Sequence, residues 1–135
     1  MAKKQKKDYI YATGRRREAS ARVRLHKGNK ESLVNDIVIG RYFPGEKNRV
    51  LWQKPFELTS TAAKYYITAK VLGGGKNGQR DAVIHGTSRA LAKISAEFRS
   101  ALKAEGLLTR DPRTRERRKA GRKGRARFQP QSPKR

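Results

Sequence analysis

A glycine-rich run at residues 73–78 has the sequence GGGKNG, which satisfies the GxGxxG pattern of dinucleotide-binding sites. We expect a strand before this run and a helix after it, which is the context that such a site requires. A nucleotide-binding fold also needs a parallel strand after that helix, and only Leu107, Leu108 and Thr109 remain before a basic tail. The run also lacks the GKS or GKT ending of a P-loop, because Asn77 follows Lys76.

The same glycine loop is better suited to a phosphate of a nucleic-acid backbone. Exposed amide groups at the start of a helix attract anions, and Lys76 and Arg80 stand beside them. A turn that only reverses the chain is the alternative, and it would be preferred without the surrounding positive charge. The glycines predicted to face phosphate are Gly73, Gly74, Gly75 and Gly78.

Arginines form a second group of candidate binding residues. Arg15, Arg16 and Arg17 precede an alternating stretch that contains Arg22 and Arg24. Strand periodicity puts the last two on one face, and arginines without acidic partners have no structural use inside a sheet. Each one alone could belong to a solvated basic face, but as a group these arginines are predicted to contact RNA phosphates.

The sequence offers little for catalysis or metal binding. It has no cysteine, which excludes disulfides, thiolate nucleophiles and cysteine-based metal sites. His26 and His85 lie on different predicted elements, so no metal site follows from their spacing. His85 and Arg89 are one helical turn apart, which suits either a stripe facing RNA or a solvated helix face. We therefore expect no enzyme activity, no cofactor, no metal and no small-molecule substrate.

Alternation and turn residues predict short strands followed by two helices. Residues from Ala19 to Leu25 alternate as a half-buried strand does, and Gly14 is expected to break the strand before them. From Arg41 to Phe56, prolines and a glycine predict short helical pieces rather than one regular element. The predicted strands are Tyr9–Thr13, Ala19–Leu25, Leu33–Val34, Ile37–Ile39 and Tyr66–Leu72, and the predicted helices are Gln79–Ile94 and Ala96–Glu105.

The overall charge calls for a polyanionic partner. The 135 residues include 35 lysines and arginines against 11 acidic residues, which gives a net charge of +24. Large apolar side chains lie almost wholly between Ile10 and Leu108, enough for one modest core. We therefore predict a basic N-terminal extension at 1–7, a globular α+β domain at 8–109 and an extended basic tail at 110–135.

The tail has 12 basic and 2 acidic residues, interleaved with glycine and proline, and it cannot bury enough surface to fold alone. Fully extended it would reach on the order of 90 Å, so it can thread into RNA. A solubilising or localisation tail is the alternative. With Arg89 on the preceding helix, the further cations predicted to bind RNA are Arg113, Arg117, Arg118, Lys119, Arg122, Lys123 and Arg125.

Membrane binding is a poor alternative for this charge. No apolar run approaches the roughly 20 residues of a membrane span, and the most basic segment has almost no apolar side chains. Residues Met1 to Lys7 are rich in lysine, with no hydrophobic stretch behind them that could act as a signal peptide. We expect a cytoplasmic chain.

The order and spacing of several short motifs resemble one family, the ninth protein of the small ribosomal subunit in its bacterial form. The resemblance runs from about Tyr9 to Arg135. Its strongest pieces are TGRRR at 13–17, ARVRL at 21–25, GGG at 73–75 with GQ at 78–79, HG at 85–86 and RAL at 89–91. Further matches are LTRD at 108–111, ERRK at 116–119, RAR at 125–127 and the terminal KR at 134–135.

This resemblance implies an α+β fold with a four-stranded sheet and helices packed on one side, similar to the second domain of the fifth small-subunit protein, plus a long basic C-terminal extension. It also implies a place in the ribosome, in the head of the small subunit, on 16S-type ribosomal RNA and beside neighbouring head proteins. The tail would reach the P site. By family position, Lys134 and Arg135 would contact the anticodon stem-loop of the P-site tRNA, with Arg127 nearby.

The chain departs from this family in its last residues, and its charge also suits another class of protein. The family commonly ends in the pattern QFSKR, whereas Ser132 and Pro133 follow Gln131 here. A free nucleic-acid-binding protein, such as an RNA chaperone or an architectural DNA binder, would use the same charge. Such a protein has no reason to end in the tail pattern of this family.

Overall fold

A computed structural model describes residues 7–127 of the chain. The fold is α+β, as predicted. In chain order, its elements are strands β1 (Tyr9–Arg16), β2 (Ala19–Lys27), β3 (Leu33–Val34) and β4 (Ile37–Val38), helices α1 (Ile39–Tyr42) and α2 (Glu46–Leu58), strand β5 (Tyr65–Leu72), and helices α3 (Lys76–Ala92) and α4 (Ala96–Ala104).

The strands form a single sheet in the order β1-β2-β5-β3-β4. β2 pairs antiparallel with β1 and β5, whereas β3 runs parallel to β5 and antiparallel to β4. The four-stranded sheet implied by the family resemblance is wrong, because the short β3–β4 hairpin joins this sheet by pairing Leu33–Val34 with Thr68–Ala69. The five strand segments predicted from the residue pattern are all present. Asn35 secures the junction, since its side chain accepts a hydrogen bond from the Val71 amide at 2.9 Å and donates to the Val71 carbonyl at 3.1 Å.

Alternating burial defines the two faces of the long strands. In β2 the odd-numbered residues from Ala19 to Leu25 are buried beneath the helices, and the residues between them point the other way. The break expected at Gly14 is wrong, because β1 continues through it to Arg16. Gly14 instead permits close packing of α3. A Cβ atom there would lie 1.9 Å from the Ala82 carbonyl oxygen and 2.4 Å from the Gly86 amide nitrogen.

Helix α3 covers β1 and β2, and α2 and α4 pack against α3. The helices predicted around residues 79–94 and 96–105 are confirmed, with α3 starting three residues earlier than expected. Ser95 caps α4, because its hydroxyl accepts the Glu97 amide at 3.2 Å. Gly106 lies just after α4 with a φ of 71°, a left-handed conformation that commonly ends a helix.

The segment from Arg41 to Phe56 is more regular than predicted. After the four-residue α1, the 13 residues of α2 form one helix. Gly45 precedes it with a φ of 101°, a conformation that favours glycine, so the proline–glycine pair does mark a boundary. Pro55 lies in the last turn of α2, and its carbonyl accepts a hydrogen bond from the Thr59 hydroxyl at 2.9 Å.

Beyond α4, the described chain contains turns and extended segments but no helix or strand up to residue 127. Leu107 and Leu108 still pack against the core, and after them the side chains are mostly exposed. Among residues 7–127, no helix combines the length and apolar character needed to span a bilayer.

Candidate nucleic-acid interface

The face of β1, β2 and β5 that lies opposite α3 is called the open face. Alternate residues of a strand share a face, so its side chains stand in transverse rows spaced by about 6.6 Å along the strands. Each row takes one residue from β1, β2 and β5 in turn. The rows are Tyr9–His26–Tyr66, Tyr11–Arg24–Thr68, Thr13–Arg22–Lys70 and Arg15–Ser20–Leu72.

Positive charge is concentrated on the open face. Three of the predicted phosphate-binding residues, Arg15, Arg22 and Arg24, are exposed there together with Lys70, which sequence reasoning missed. Along their full described lengths, β1, β2 and β5 contain no carboxylate. Asp36 lies 4.0 Å from Lys70, but both side chains are well exposed and the contact is weak. Arg22 faces Lys70 directly across the strand pair, and opposed like charges destabilise a sheet.

Arg16 points away from the open face and holds the start of the tail. Its side chain is 12% exposed and lies 3.7 Å from Asp81 and 3.3 Å from Asp111. Its guanidinium also donates to the Arg113 carbonyl at 2.7 Å. Arg113 pairs with the same Asp111 carboxylate at 2.7 Å. We call Arg16, Asp81, Asp111 and Arg113 the tail anchor.

The tail anchor has a clear electrostatic signature. Hydrogen bonds from Arg113, aided by the charge of Arg16, hold the pKa of the Asp111 carboxyl far below its usual range. The same pairing raises the pKa of Arg113. Contact of Arg16 and Arg113 with RNA remains a prediction, and in the described structure both guanidinium groups already have intramolecular partners.

His85 is a second link between the domain and the start of the tail. Its Nδ1 accepts the Arg15 amide at 3.4 Å, and its Nε2 lies 3.3 Å from the Leu108 carbonyl oxygen. This geometry requires a neutral ring with the proton on Nε2. Burial lowers the pKa of His85, as do the nearby charges of Arg89 and Arg110, while the bond to Leu108 opposes the shift.

The glycine loop packs against the turn between β1 and β2. Gly73 and Gly74 have φ values of 77° and 62°, and a Cβ on Gly73 would lie 2.6 Å from the Glu18 carbonyl oxygen. Gly78 is buried in α3, where its Cα faces the backbone of Arg16 and the side chain of Ala19. Chain geometry alone accounts for Gly73 and Gly74, whereas a Cβ on Gly78 would make ordinary contacts and one on Gly75 would meet nothing within 4 Å. Phosphate binding by Gly73, Gly74, Gly75 and Gly78 remains a prediction.

Two of the predicted cations near the loop have intramolecular partners. The Lys76 ammonium lies 3.3 Å from the centre of the Tyr42 ring, a cation–π contact. The Arg80 guanidinium donates to Asn48 at 2.8 Å and pairs with Asp81 at 2.9 Å, with 14% of its side chain exposed. Both residues brace the helices against one another, and RNA contact by either remains a prediction.

Two cations elsewhere take different positions. Arg17 is exposed in the β1–β2 turn with a φ of 52°. Arg89 lies at the outer edge of the sheet, where its guanidinium donates to the Thr13 carbonyl at 2.7 Å. Arg89 therefore satisfies part of the backbone of the edge strand β1.

The described part of the tail contains a local fold-back. Arg127 forms a paired contact with Glu116, with a shortest distance of 2.7 Å, and this contact lowers the pKa of the Glu116 carboxyl. The Lys119 amide donates to the Arg125 carbonyl at 3.3 Å, and the Arg122 guanidinium donates to the Ala126 carbonyl at 3.2 Å. Arg117, Arg118, Lys119 and Lys123 are exposed. The predicted tRNA-binding residues Lys134 and Arg135 lie outside the described residues.

These features define a class of protein: a small α+β domain with a cationic open face and an anchored basic tail, suited to a polyanion. Residues 14–135 match the ribosomal protein S9/S16 family. The chain is 49% identical over 124 residues to the small ribosomal subunit protein uS9 of Maridesulfovibrio salexigens, covering 91% of this chain and 95% of that protein. It is 46% identical over 123 residues to the uS9 protein of Solidesulfovibrio magneticus, covering 90% and 95%.

The chain therefore belongs to the ribosomal protein S9/S16 family. It is a structural protein of the small ribosomal subunit and not an enzyme, which confirms the predictions of class and of location in the ribosome.

Proposed function

We propose that the chain binds ribosomal RNA in the head of the small subunit and that its C-terminal tail contacts the P-site tRNA. In this proposal residues 8–109 form the RNA-bound domain and residues 110–135 form the tail. Residues 1–7 form a short basic extension. The partners are 16S-type ribosomal RNA, the P-site tRNA and neighbouring head proteins.

The observation that carries the RNA-binding part is the charge of the open face. Arg15, Arg22, Arg24 and Lys70 project from three strands without a carboxylate among them. An isolated sheet is destabilised by the Arg22–Lys70 pair, whereas RNA phosphates between the two side chains would turn this repulsion into attraction. Neutralised phosphates also release counterions, which drives association.

The tail anchor supports the second part. The tail anchor, together with the contact between His85 and Leu108, ties residues 108–113 to the domain, so the tail leaves the domain from a fixed point. The exposed cations of the tail give it a local excess of positive charge, which suits a path through RNA. A fixed starting point limits the sites within reach of the tail, which would raise the effective concentration of Lys134 and Arg135 near one of them.

The experiment is crosslinking in growing cells followed by sequencing of the attached RNA. Three proteins are compared: the full-length chain, a chain that lacks Ser132 to Arg135, and a control with Lys3→Ala and Lys4→Ala. The control loses two positive charges at the other terminus, the same number that the truncation removes.

The full-length chain should crosslink to small-subunit RNA and to tRNA. The truncation should remove the tRNA signal alone, and the control should keep both. Crosslinks spread over messenger RNA or DNA would overturn the ribosomal-RNA proposal, and a tRNA signal that survives the truncation would overturn the role of the tail.

A further inference from the structure

The open face has an aromatic end as well as a cationic one. The first row consists of Tyr9, His26 and Tyr66, one residue from each of three neighbouring strands. Tyr11 stands in the next row and is 43% exposed. The other rows hold the cations. The open face therefore changes from aromatic to cationic along the strand direction.

The aromatic row is ordered by direct contacts. The His26 ring stacks on Tyr66 with centroids 5.0 Å apart and an angle of 16° between planes, and Tyr9 lies 5.7 Å away at 53°. The imidazole Nε2 is 2.9 Å from the Thr68 hydroxyl, which fixes the ring. Rings held in this way lose little conformational freedom when a ligand stacks on them.

The surroundings of His26 favour the neutral form of its ring. Its pKa is lowered by burial and by the charges of Arg24 and Lys30. A neutral imidazole stacks on a base and can exchange hydrogen bonds with base edges. The Arg24 guanidinium lies 5.1 Å from the centre of the Tyr9 ring, so a cation is placed directly beside the aromatic row.

Core packing does not explain this row. The buried residues of the three strands face α3 on the opposite side of the sheet, and Tyr9, His26 and Tyr66 are only partly covered. Four cations within the next three rows would repel a basic ligand, and the strands carry no opposing carboxylate. A ligand that fits both ends of the open face has a chain of phosphates for the cations and flat rings for the aromatic row.

Unpaired RNA presents this combination. Bases within a duplex are stacked on each other, and only unpaired bases can splay out onto aromatic side chains. A duplex would use the cations but would leave the aromatic row without a partner. Stacking on aromatic rings together with cations along the backbone is the general mode of single-strand binding.

We propose that the open face binds an unpaired segment of RNA, with bases stacked on the row Tyr9–His26–Tyr66 and phosphates on Arg22, Arg24 and Lys70. This inference rests on the proposed RNA-binding function and deepens it. It assigns unpaired nucleotides to one surface of the domain.

The test measures the affinity of the purified full-length chain for two RNA probes at one salt concentration. One probe is a single-stranded oligouridylate, and the other is a blunt-ended RNA duplex with the same number of phosphates. The variant Tyr66→Leu removes the ring, and Tyr66→Phe keeps it as the matched control. Circular dichroism checks that each variant is folded. Tyr11→Leu, at a more exposed position, tests the same surface if Tyr66→Leu does not fold.

Tyr66→Leu should weaken oligouridylate binding by roughly 5- to 150-fold for a lost base stack. It should leave duplex binding unchanged, and Tyr66→Phe should bind both probes as the original chain does. Equal affinity of Tyr66→Leu and the original chain for oligouridylate would overturn the inference. An equal loss on both probes would overturn it too, because the ring would then serve the fold and not the base.

Failure of this inference can be told apart from failure of the proposed function by mapping ultraviolet crosslinks on ribosomes. Crosslinks from the peptides that carry Tyr9, His26 or Tyr66 to small-subunit RNA support both. Crosslinks to that RNA from other peptides alone overturn the open-face assignment and leave the proposed function intact. The absence of small-subunit RNA among all crosslinks overturns the proposed function.

Discussion

Replacing Gly14 with alanine should destabilise the domain by about 3 kcal/mol or more, the upper end of the usual cost of overpacking. A Cβ atom at this position would lie 1.9 Å from the Ala82 carbonyl oxygen. Relief requires α3 to retreat from β1 by roughly 1 Å, because both contacting groups are backbone in a close-packed interior. A gap of that size forfeits up to about half of the dispersion attraction between the atoms it separates. The buried Val23 side chain of β2, which lies directly against Gly86 of α3, would lose packing in this way.

Thermal unfolding of the purified chain, followed by circular dichroism at moderate salt, measures this cost. For a domain of this size, about 3 kcal/mol lowers the midpoint by roughly 12 to 24 °C. Gly40→Ala is the matched control, since Gly40 lies in α1 and a Cβ there would meet nothing within 4 Å. Its midpoint should stay the same or rise slightly. A Gly14→Ala midpoint within about 2 °C of the original chain would refute the close approach of β1 and α3.

Three further predictions concern the tail anchor, His85 and the open face. Arg16→Met should speed hydrogen exchange in residues 108–113 but not in the core, because the Arg16 guanidinium joins the start of the tail to the domain. Unchanged exchange in residues 108–113 would contradict the role of the tail anchor. Lowering the pH from about 7.5 to about 5.5 should destabilise the original chain more than the His85→Gln variant, as measured by urea unfolding. The pKa of His85 is lowered in the folded chain, so the stability that its neutral ring contributes is present above the unfolded pKa of about 6.5 and is lost as the pH falls. Equal losses of unfolding free energy in the two chains would count against this prediction. Arg22→Ala should reduce the slope of the logarithm of RNA affinity against the logarithm of salt concentration by about one, and Lys47→Ala on α2 should reduce it less. Equal slopes for the two variants would argue against phosphate contact by the open face.

The sequence predicts the parts of the fold that depend on local pattern. Alternation from Ala19 to Leu25 identifies β2 and its faces, and helical spacing identifies α3 and α4. Gly14 was misleading because a glycine can serve a turn or a close approach, and the sequence does not show which. The residue pattern also predicts the two short strands β3 and β4, but their place in the main sheet depends on parallel pairing between β3 and β5, a contact between segments more than 30 residues apart.

The candidate site also has a part that local sequence predicts and a part that it does not. Arg22 and Arg24 share a strand, so their common face follows from period-two alternation alone. The partners of Arg16 are Asp81 and Asp111, which only the folded chain brings within 4 Å of it. Local sequence therefore cannot separate an anchoring arginine from one that is free to meet RNA.

The aromatic row can be predicted only when the register of the strands is known. Tyr9, His26 and Tyr66 each stand at a strand end, and their types were visible in the sequence. Their alignment depends on the register of β1 and β5 against β2. A shift of one residue in either pairing would send the tyrosine to the other face, so the row could not be inferred before the register was known.

The measurement that tests the central claim most directly is hydroxyl-radical footprinting of small-subunit RNA in particles reconstituted with and without this chain. Protected riboses are expected in the head of the subunit, with protection weakened when Arg22, Arg24 and Lys70 are all replaced by alanine. Equal cleavage in the presence and absence of the chain, or protection that does not depend on these three cations, would contradict it.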